Sequence, residues 1–276
     1  MSSDPVRRYW SEAATGWVDD EWRVELIGRA PGAATNELLD ARSGDHVLEV
    51  GCGTGATTLA LAERVAPDGV VIGVDVAPEM VEVARRRTVS RRASFVVADV
   101  EAMELANGWF DRVFSRFGVM FFAEPQATFG KLRESLAPDG RAAFSVWQDP
   151  EQNEWMTLPI DAAVEVLGRS LRVPGIGEPG PFSLADARRI STLLRSAGFR
   201  VVEIVPFDED VVIAESDAES FAIGTTLHGI VARALVDEAG ETKDDVVDAV
   251  LARLRRRAET GEIRLRRAAY VVLALP

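Results

Sequence analysis

The sequence predicts an α/β, doubly wound fold, and two observations carry that expectation. Strand-like runs at 45–50, 70–75, 94–98, 111–115 and 141–147 alternate with helix-like segments at 54–65, 78–88 and 127–136. The strand runs are near-continuously apolar, the pattern of a parallel sheet covered by helices on both faces. One αβ connection also occurs twice, through Pro67-Asp68-Gly69 into Val70–Asp75 and through Pro138-Asp139-Gly140 into Arg141–Trp147. Each is an amphipathic helix, a turn and a β-rich run.

Taken in order, residues 1–40 are polar and Trp-bearing and read as two short helices over Tyr9 to Asp40. Residues 41–148 hold the five strand runs. The pattern then changes, because Pro174-Gly175-Ile176-Gly177-Glu178-Pro179-Gly180-Pro181 is too punctuated for a core element. Ser183-Leu184-Ala185-Asp186 opens a helix with a capping-box signature that runs to Gly198. Strand runs at 200–206 and 264–274 follow, so 183–213 and 264–276 complete the sheet. Between them, helices are expected at 217–236 and 242–258 from their apolar spacing. Residues 149–182 and 217–258 are read as a helical cap. Arg255-Arg256-Arg257 is read as its solvated face.

The chain of 276 residues forms one generous domain that can bury about three quarters of its unfolded surface. Its 31 Lys and Arg against 44 Asp and Glu give a net charge of −13. A surface of that sign repels phosphate backbones and anionic lipid, so neither nucleic acid nor membrane is an expected partner. The single cysteine, Cys52, excludes an internal disulfide and a cysteine-based metal site. With a polar Met1 to Tyr9 stretch and no apolar run of membrane length, a cytoplasmic monomer or homodimer is expected. Only Lys131 and Lys243 are lysines, a bias consistent with GC-rich bacterial coding.

The most informative stretch is Val47-Leu48-Glu49-Val50-Gly51-Cys52-Gly53-Thr54-Gly55, which leads from a strand straight into a helix. Its glycines permit a tight turn and let a ligand approach the backbone, with helix N-terminal amides facing outward. Gly51, Gly53 and Ala56 formally satisfy a dinucleotide pattern, but two carboxylates oppose it. Glu49 lies just before the first glycine, near where a pyrophosphate would sit, and Asp99 follows the third strand. A ligand with a cationic amino-acid end and no phosphates suits Glu49 better.

Glu49 to Gly55, with Asp75, Asp99 and the segment Phe110 to Phe122, resembles the motif set of class I S-adenosylmethionine-dependent methyltransferases. The resemblance is strong over residues 40–150 and is closest to small-molecule enzymes similar to the ubiquinone/menaquinone C-methyltransferases. It implies a Rossmann-like, seven-stranded, mostly parallel sheet whose last strand is antiparallel, with S-adenosylmethionine as cofactor and S-adenosylhomocysteine as product. Gly51, Cys52, Gly53 and Gly55 would pass beneath the methionine and ribose, Cys52 as a small filler. Glu49 would support the loop and accept from the ligand ammonium, directly or through water. Asp75, 20 residues after Gly55 and followed by Val76, would accept the ribose hydroxyls; the competing reading is a helix cap before Pro78. Asp99 would accept the adenine amine and the Val100 amide would donate to the ring; a strand-end turn is the other reading of Asp99. Met80 would pack on the adenine face, and Ser115 marks where a backbone carbonyl meets the ammonium. Tyr9 or Trp17 would supply an aromatic lid, or serve as packing anchors.

On the acceptor side, Arg116, Phe117, Met120 and Phe121 are expected to line a pocket for a hydrophobic or aromatic small molecule. The guanidinium either meets an anionic group on it or pairs with a cap carboxylate. His46 precedes the first strand and reads as structural. His228, placed on one helix face with Phe221, Gly224, Val231 and Leu235, is either a core histidine or the one imidazole available as a base. No metal is expected. Methyl transfer by in-line displacement is the leading expectation. Cyclisation or decarboxylation on the same ligand is the second, and NAD(P)-dependent redox chemistry is the third.

Overall fold

The computed structural model describes residues 4–276. Two N-terminal helices, α1 (Asp4–Asp19) and α2 (Glu21–Leu39), precede the sheet. The alternating core follows as β1 (His46–Val50), α3 (Ala56–Arg64), β2 (Val70–Asp75), α4 (Pro78–Arg87), β3 (Ala93–Val97), β4 (Phe110–Arg116), α5 (Pro125–Ser135) and β5 (Leu136–Trp147). Then come α6 (Glu154–Leu167), α7 (Ala187–Ser196), β6 (Val201–Ala214), α8 (Ala218–Leu227), α9 (Ile230–Ala234), α10 (Gly240–Arg255) and β7 (Glu262–Leu275).

The seven strands lie in the order β3-β2-β1-β4-β5-β7-β6. β1, β2, β3, β4 and β5 pair in parallel, and β7 runs antiparallel to both β5 and β6. The expected fold class and its one antiparallel strand are therefore observed. The chain winds from β1 outward to β3 and then crosses to β4 on the other side of β1. That reversal opens a crevice at the carboxyl ends of β1 and β4, the place where such sheets bind ligands.

Alternation along the central strands feeds two cores. Val47, Val71, Phe114 and Ala143 face a layer with Leu39, Leu61 and Ala62. Leu48, Val113, Phe144 and Val146 face the opposite layer with Phe129, Leu132 and Leu194. A strand reverses side at every residue, so a run that is buried throughout must be covered on both faces.

Four boundaries differ from expectation, each for a local reason. β5 begins at Leu136 rather than 141: Phe110 pairs with Leu136 and Arg112 with Arg141, so the Pro138-Asp139-Gly140 turn is absorbed as a bulge within one strand. β6 and β7 are 14 residues each and form a long hairpin where the sequence showed only its most apolar halves. The cap of α7 is Asp186, whose carboxylate accepts from the Arg188 and Arg189 amides. Ser183 instead donates to the Met120 carbonyl. Finally, 217–236 is not one helix: α8 ends at Leu227, and Gly229 at φ 87° breaks the path to α9.

α6 packs against α10 and α8, and α8 packs against α10, so the 149–182 and 217–258 segments meet in one layer. Arg255, Arg256 and Arg257 are exposed on it, and Arg257 reaches Glu154 at 3.0 Å. Among the described residues, no helix is long and apolar enough to cross a membrane.

The layer is anchored to the sheet by Asn153, which is fully buried. Its Nδ2 donates to the carbonyls of Gln148 (3.2 Å), Asp149 (3.2 Å) and Ala268 (3.0 Å). Its Oδ1 accepts from Trp155 Nε1 (3.0 Å) and the Ala268 amide (3.0 Å). Asn153→Ala strands several of these groups in a dry site, at a cost of about 2–4 kcal/mol. Urea unfolding of the two proteins checks this; an unchanged midpoint would remove Asn153 from the role of anchor.

Candidate functional site

The chain leaves β1 at Val50 and turns through Gly51-Cys52-Gly53-Thr54-Gly55 into α3. Gly51 and Gly55 hold positive φ values of 74° and 85°. A Cβ on Gly51 would lie 3.0 Å from the Gly118 Cα, and one on Gly55 would lie 2.8 Å from Ala84 and Phe95. Conformation and crowding both demand glycine. The Val74 carbonyl accepts from the Gly51 and Cys52 amides, at 2.8 and 3.1 Å. The Cys52 side chain fills the space above Gly73, and burial holds its thiol well above the ordinary value. It is a neutral filler, as expected.

Three carboxylates surround this loop. Glu49 is buried and accepts from the Thr58 hydroxyl on α3, which locks the loop to its helix. Burial raises the Glu49 carboxyl to about 7; Thr58 and Arg116 oppose that shift. Asp75 accepts from the Gly53 amide on Oδ2 and the Ala77 amide on Oδ1, both at 2.9 Å. It therefore braces the loop and the turn that leads into α4, and each oxygen keeps a second lone pair for a ligand hydroxyl. Burial also raises Asp75. Asp99 accepts from the Glu101 amide at 2.9 Å on Oδ1, while Oδ2 is buried with no partner. Val100 is buried beside it.

Across the crevice, the buried Ser115 hydroxyl donates to the Val50 carbonyl at 2.8 Å and accepts from the Gly118 amide at 3.2 Å. Phe117, a non-glycine residue at φ 64°, stacks on Trp147 with centroids 3.7 Å apart. Such a backbone on a bulky residue stores strain, and strain of this kind clusters at binding sites.

The N-terminal helices are attached to this edge. Thr54 in the loop donates to Glu21 on α2 at 2.6 Å, and Arg87 on α4 also binds Glu21, at 2.7 Å to Oε2. On α1, Trp10 lies 5.3 Å from Trp17 and 4.9 Å from Phe121. Trp10 and Trp17 pack with Ala77 and Met80. An aromatic strip thus runs from the β2 end of the crevice to the loop after β4. Val76 lies at its foot, half-buried between Asp75 and Ala77.

A methyltransferase-domain family matches residues 47–140, from β1 into β5. The chain is 29% identical over 206 residues to the nocamycin O-methyltransferase of Saccharothrix syringae, spanning 70% of this chain and 72% of the other. It is 40% identical over 135 residues to the demethylmenaquinone methyltransferase of Thermus thermophilus, spanning 48% and 57%. Residues 47–140 are thus similar to a methyltransferase domain, and both of these relatives are named as methyltransferases. Haemonchus contortus phosphoethanolamine N-methyltransferase 2, solved with phosphomonomethylethanolamine and S-adenosylhomocysteine, has the same fold. It superposes with a TM-score of 0.60 at 18% identity, over 100% of this chain and 61% of that one. The chain spans about half the length of several curated relatives, 48% and 57% in two of them.

Asp75 bonds to Gly53 of the loop, Met80 and Trp17 share a cluster with Ala77, and Asp99 follows β3, which pairs with β2. Several acceptor-side residues are placed differently. Arg116 pairs with Glu25 of α2 at 2.6 Å, not with the cap, so its charge is already met. Met120 is buried in the main core. Tyr9 turns away toward α9, with the Arg233 guanidinium 4.9 Å from its ring centre and its phenol raised by burial. His228 closes α8 rather than sitting within a longer helix. Its Nδ1 lies 3.1 Å from Asp20, and its Nε2 edge rests on Gly16 of α1. His46 stacks on Trp109 at the opposite end of β1, 4.4 Å between ring centres, and is structural. Among the described residues, no three His, Cys, Asp or Glu side chains gather as a metal would need. The residues missed by the sequence reading are Asp20, Glu21 and Arg23, polar positions of an ordinary amphipathic helix.

Glu49 yields a pH signature. A carboxyl raised to about 7 in the folded state stays protonated there while the unfolded chain ionises near its ordinary value. The stability this contributes is complete below the unfolded value, about pH 4.3, and is lost as pH rises through 7. Against Glu49→Gln, the wild type is expected to lose about 3 kcal/mol between pH 4.5 and 8, measured as urea midpoints. Parallel pH profiles for the two proteins would refute it.

Proposed function

We propose that the protein transfers the methyl group of S-adenosylmethionine to a small hydrophobic or aromatic acceptor by in-line displacement. The observation that carries the reading is Asp99: an acceptor oxygen buried without a partner, beside a glycine loop braced on Asp75. A buried polar atom is nearly always satisfied, so an orphan here fits a ligand that brings an N–H donor, such as the adenine amine. The outer lone pairs of Asp75 then take the ribose hydroxyls. The Val100 amide meets the ring, Met80 covers its face, and Gly51, Gly53 and Gly55 pass beneath the methionine end. Glu49 supports the loop from below, the Ser115 carbonyl faces the ammonium, and Trp17 covers the ligand from α1.

When bound, the cofactor supplies a methyl group already activated by a sulfonium. The protein's share is alignment and exclusion of water. Holding a nucleophile in a near-attack geometry lowers a barrier by up to about 7–11 kcal/mol in favourable cases. The stacked Phe117 and Trp147, with Phe121 under Trp10, form the apolar wall available for that purpose. Residues 1–40 act as lid and the α6, α8–α10 layer as cap. No base is assigned, because the Nε2 edge of His228 is covered by α1. Relatives named for nocamycin and demethylmenaquinone support a small-molecule acceptor.

Calorimetric titration with S-adenosylmethionine, S-adenosylhomocysteine and NADH tests the reading. Micromolar binding of the first two and none of the third is expected, with Asp99→Ala weakening S-adenosylhomocysteine at least about tenfold. Binding of NADH alone would overturn it. In turnover, each methylated product should accompany one S-adenosylhomocysteine; acceptor consumed with none released would establish the non-methylating alternative.

A further inference from the structure

Where α1 meets α2, a charged cluster is buried that the reading above does not use. Asp20 and Arg23 are only 5% and 3% exposed. Arg23 Nε donates to Asp20 Oδ2, and the same oxygen lies 3.1 Å from His228 Nδ1 at the end of α8. The packing is built around this cluster. A Cβ on Gly224 of α8 would lie 2.5 Å from Asp20 Oδ2 and 2.7 Å from Arg23 Nε, and a Cβ on Gly16 would lie 2.2 Å from the His228 ring. Only glycine at both positions lets the helices close on these charges.

Two strong donors in the cluster nevertheless have no acceptor. Arg23 Nη2 and Trp17 Nε1 are both buried without a hydrogen-bond partner. They lie close together, since the Arg23 guanidinium carbon is 5.9 Å from the centre of the Trp17 ring. Burial pulls the Arg23 guanidinium down from its ordinary value, and Asp20 opposes that only in part. The Arg116 guanidinium, by contrast, has an ion-pair partner in Glu25.

The geometry points to a carboxylate-binding subsite formed by Arg23 Nη2 and Trp17 Nε1. A planar carboxylate presents two acceptor oxygens, and charge-assisted bonds from a guanidinium are the strong kind. Trp17 packs on Ala77 and Met80, just after Asp75, so the subsite opens beside the cofactor position; that placement rests on the proposed function. Two ligands meet there, and either can bring the carboxylate: the methionine end of the cofactor or the acceptor.

The test uses two matched pairs of probes on the full chain. 4-Fluorobenzoate and uncharged 4-fluorobenzyl alcohol are titrated by fluorine NMR, with and without S-adenosylhomocysteine. S-adenosylhomocysteine and 5′-methylthioadenosine, which lacks the amino-acid end, are titrated calorimetrically. Each is measured with wild type, Arg23→Lys and Trp17→Phe; the second variant keeps an aromatic ring but lacks the indole N–H, and guards against misfolding of the first. The expected result is that, in both variants, one carboxylate probe loses at least about tenfold more affinity than its carboxylate-free twin. Loss for fluorobenzoate assigns the subsite to the acceptor, and loss for S-adenosylhomocysteine assigns it to the cofactor. Equal losses within each pair, or no loss in either, would overturn the proposal. Failure of the wild type to bind S-adenosylhomocysteine would instead overturn the proposed function, and the fluorobenzoate arm would still decide the subsite.

Discussion

The carboxyl ends of β1 and β4 meet so closely that a single carbon between Gly51 and Gly118 would be a collision. Ser115 joins the same two strands, donating to the last carbonyl of β1 and accepting from the Gly118 amide. Most of the site follows from that junction. The chain cannot continue straight from either strand, so β1 turns sharply into α3 and β4 turns into the strained backbone at Phe117. The crevice left between the turns is where the sheet reverses its order.

Cover for the crevice is held by polar bonds as well as by apolar packing, since Ile27 and Leu39 of α2 are buried in the two cores. α2 is attached at one end through Glu21 to Thr54 and Arg87, and further along through Glu25 to Arg116. α1 contributes ring contacts with Phe121 and shares a small cluster with Ala77 and Met80. Because Glu21 sits on the loop hydroxyl itself, any shift of α2 is felt by the glycine loop. Ion pairs this exposed contribute little stability singly, about 0–1 kcal/mol each.

The core was legible because its signals are local. Apolar runs, the Pro-Asp-Gly turns and the glycine loop each declare themselves within a dozen residues, and β1 to β4 fall within two residues of their expected bounds. What the sequence hid depends on distant partners. The partner of Arg116 was expected on the acceptor or in the cap, and Glu25 is 91 positions away in sequence. Helix 217–236 looked continuous because its apolar spacing carries across His228-Gly229, yet Gly229 turns left-handed. Asp20 and Arg23 are three apart on a polar stretch that reads as a solvated face, and only α8, some 200 residues later, buries them.

The electrostatics of the crevice explain why a glycine pattern compatible with dinucleotides sits in a protein of another kind. Glu49 and Asp75 are both raised by burial, and the Asp75 charge raises Glu49 further. Asp99 adds a third carboxylate at the end of the neighbouring strand. A pyrophosphate brought here would add negative charge where negative charge is already costly, at a loop whose amides are partly committed to Val74 and Asp75. A ligand carrying a sulfonium and an ammonium reverses the sign of that term, since a cation nearby favours the ionised carboxylates. The same glycines that would cradle phosphate in an uncharged setting are thus redirected by Glu49, a single buried side chain two positions before the loop.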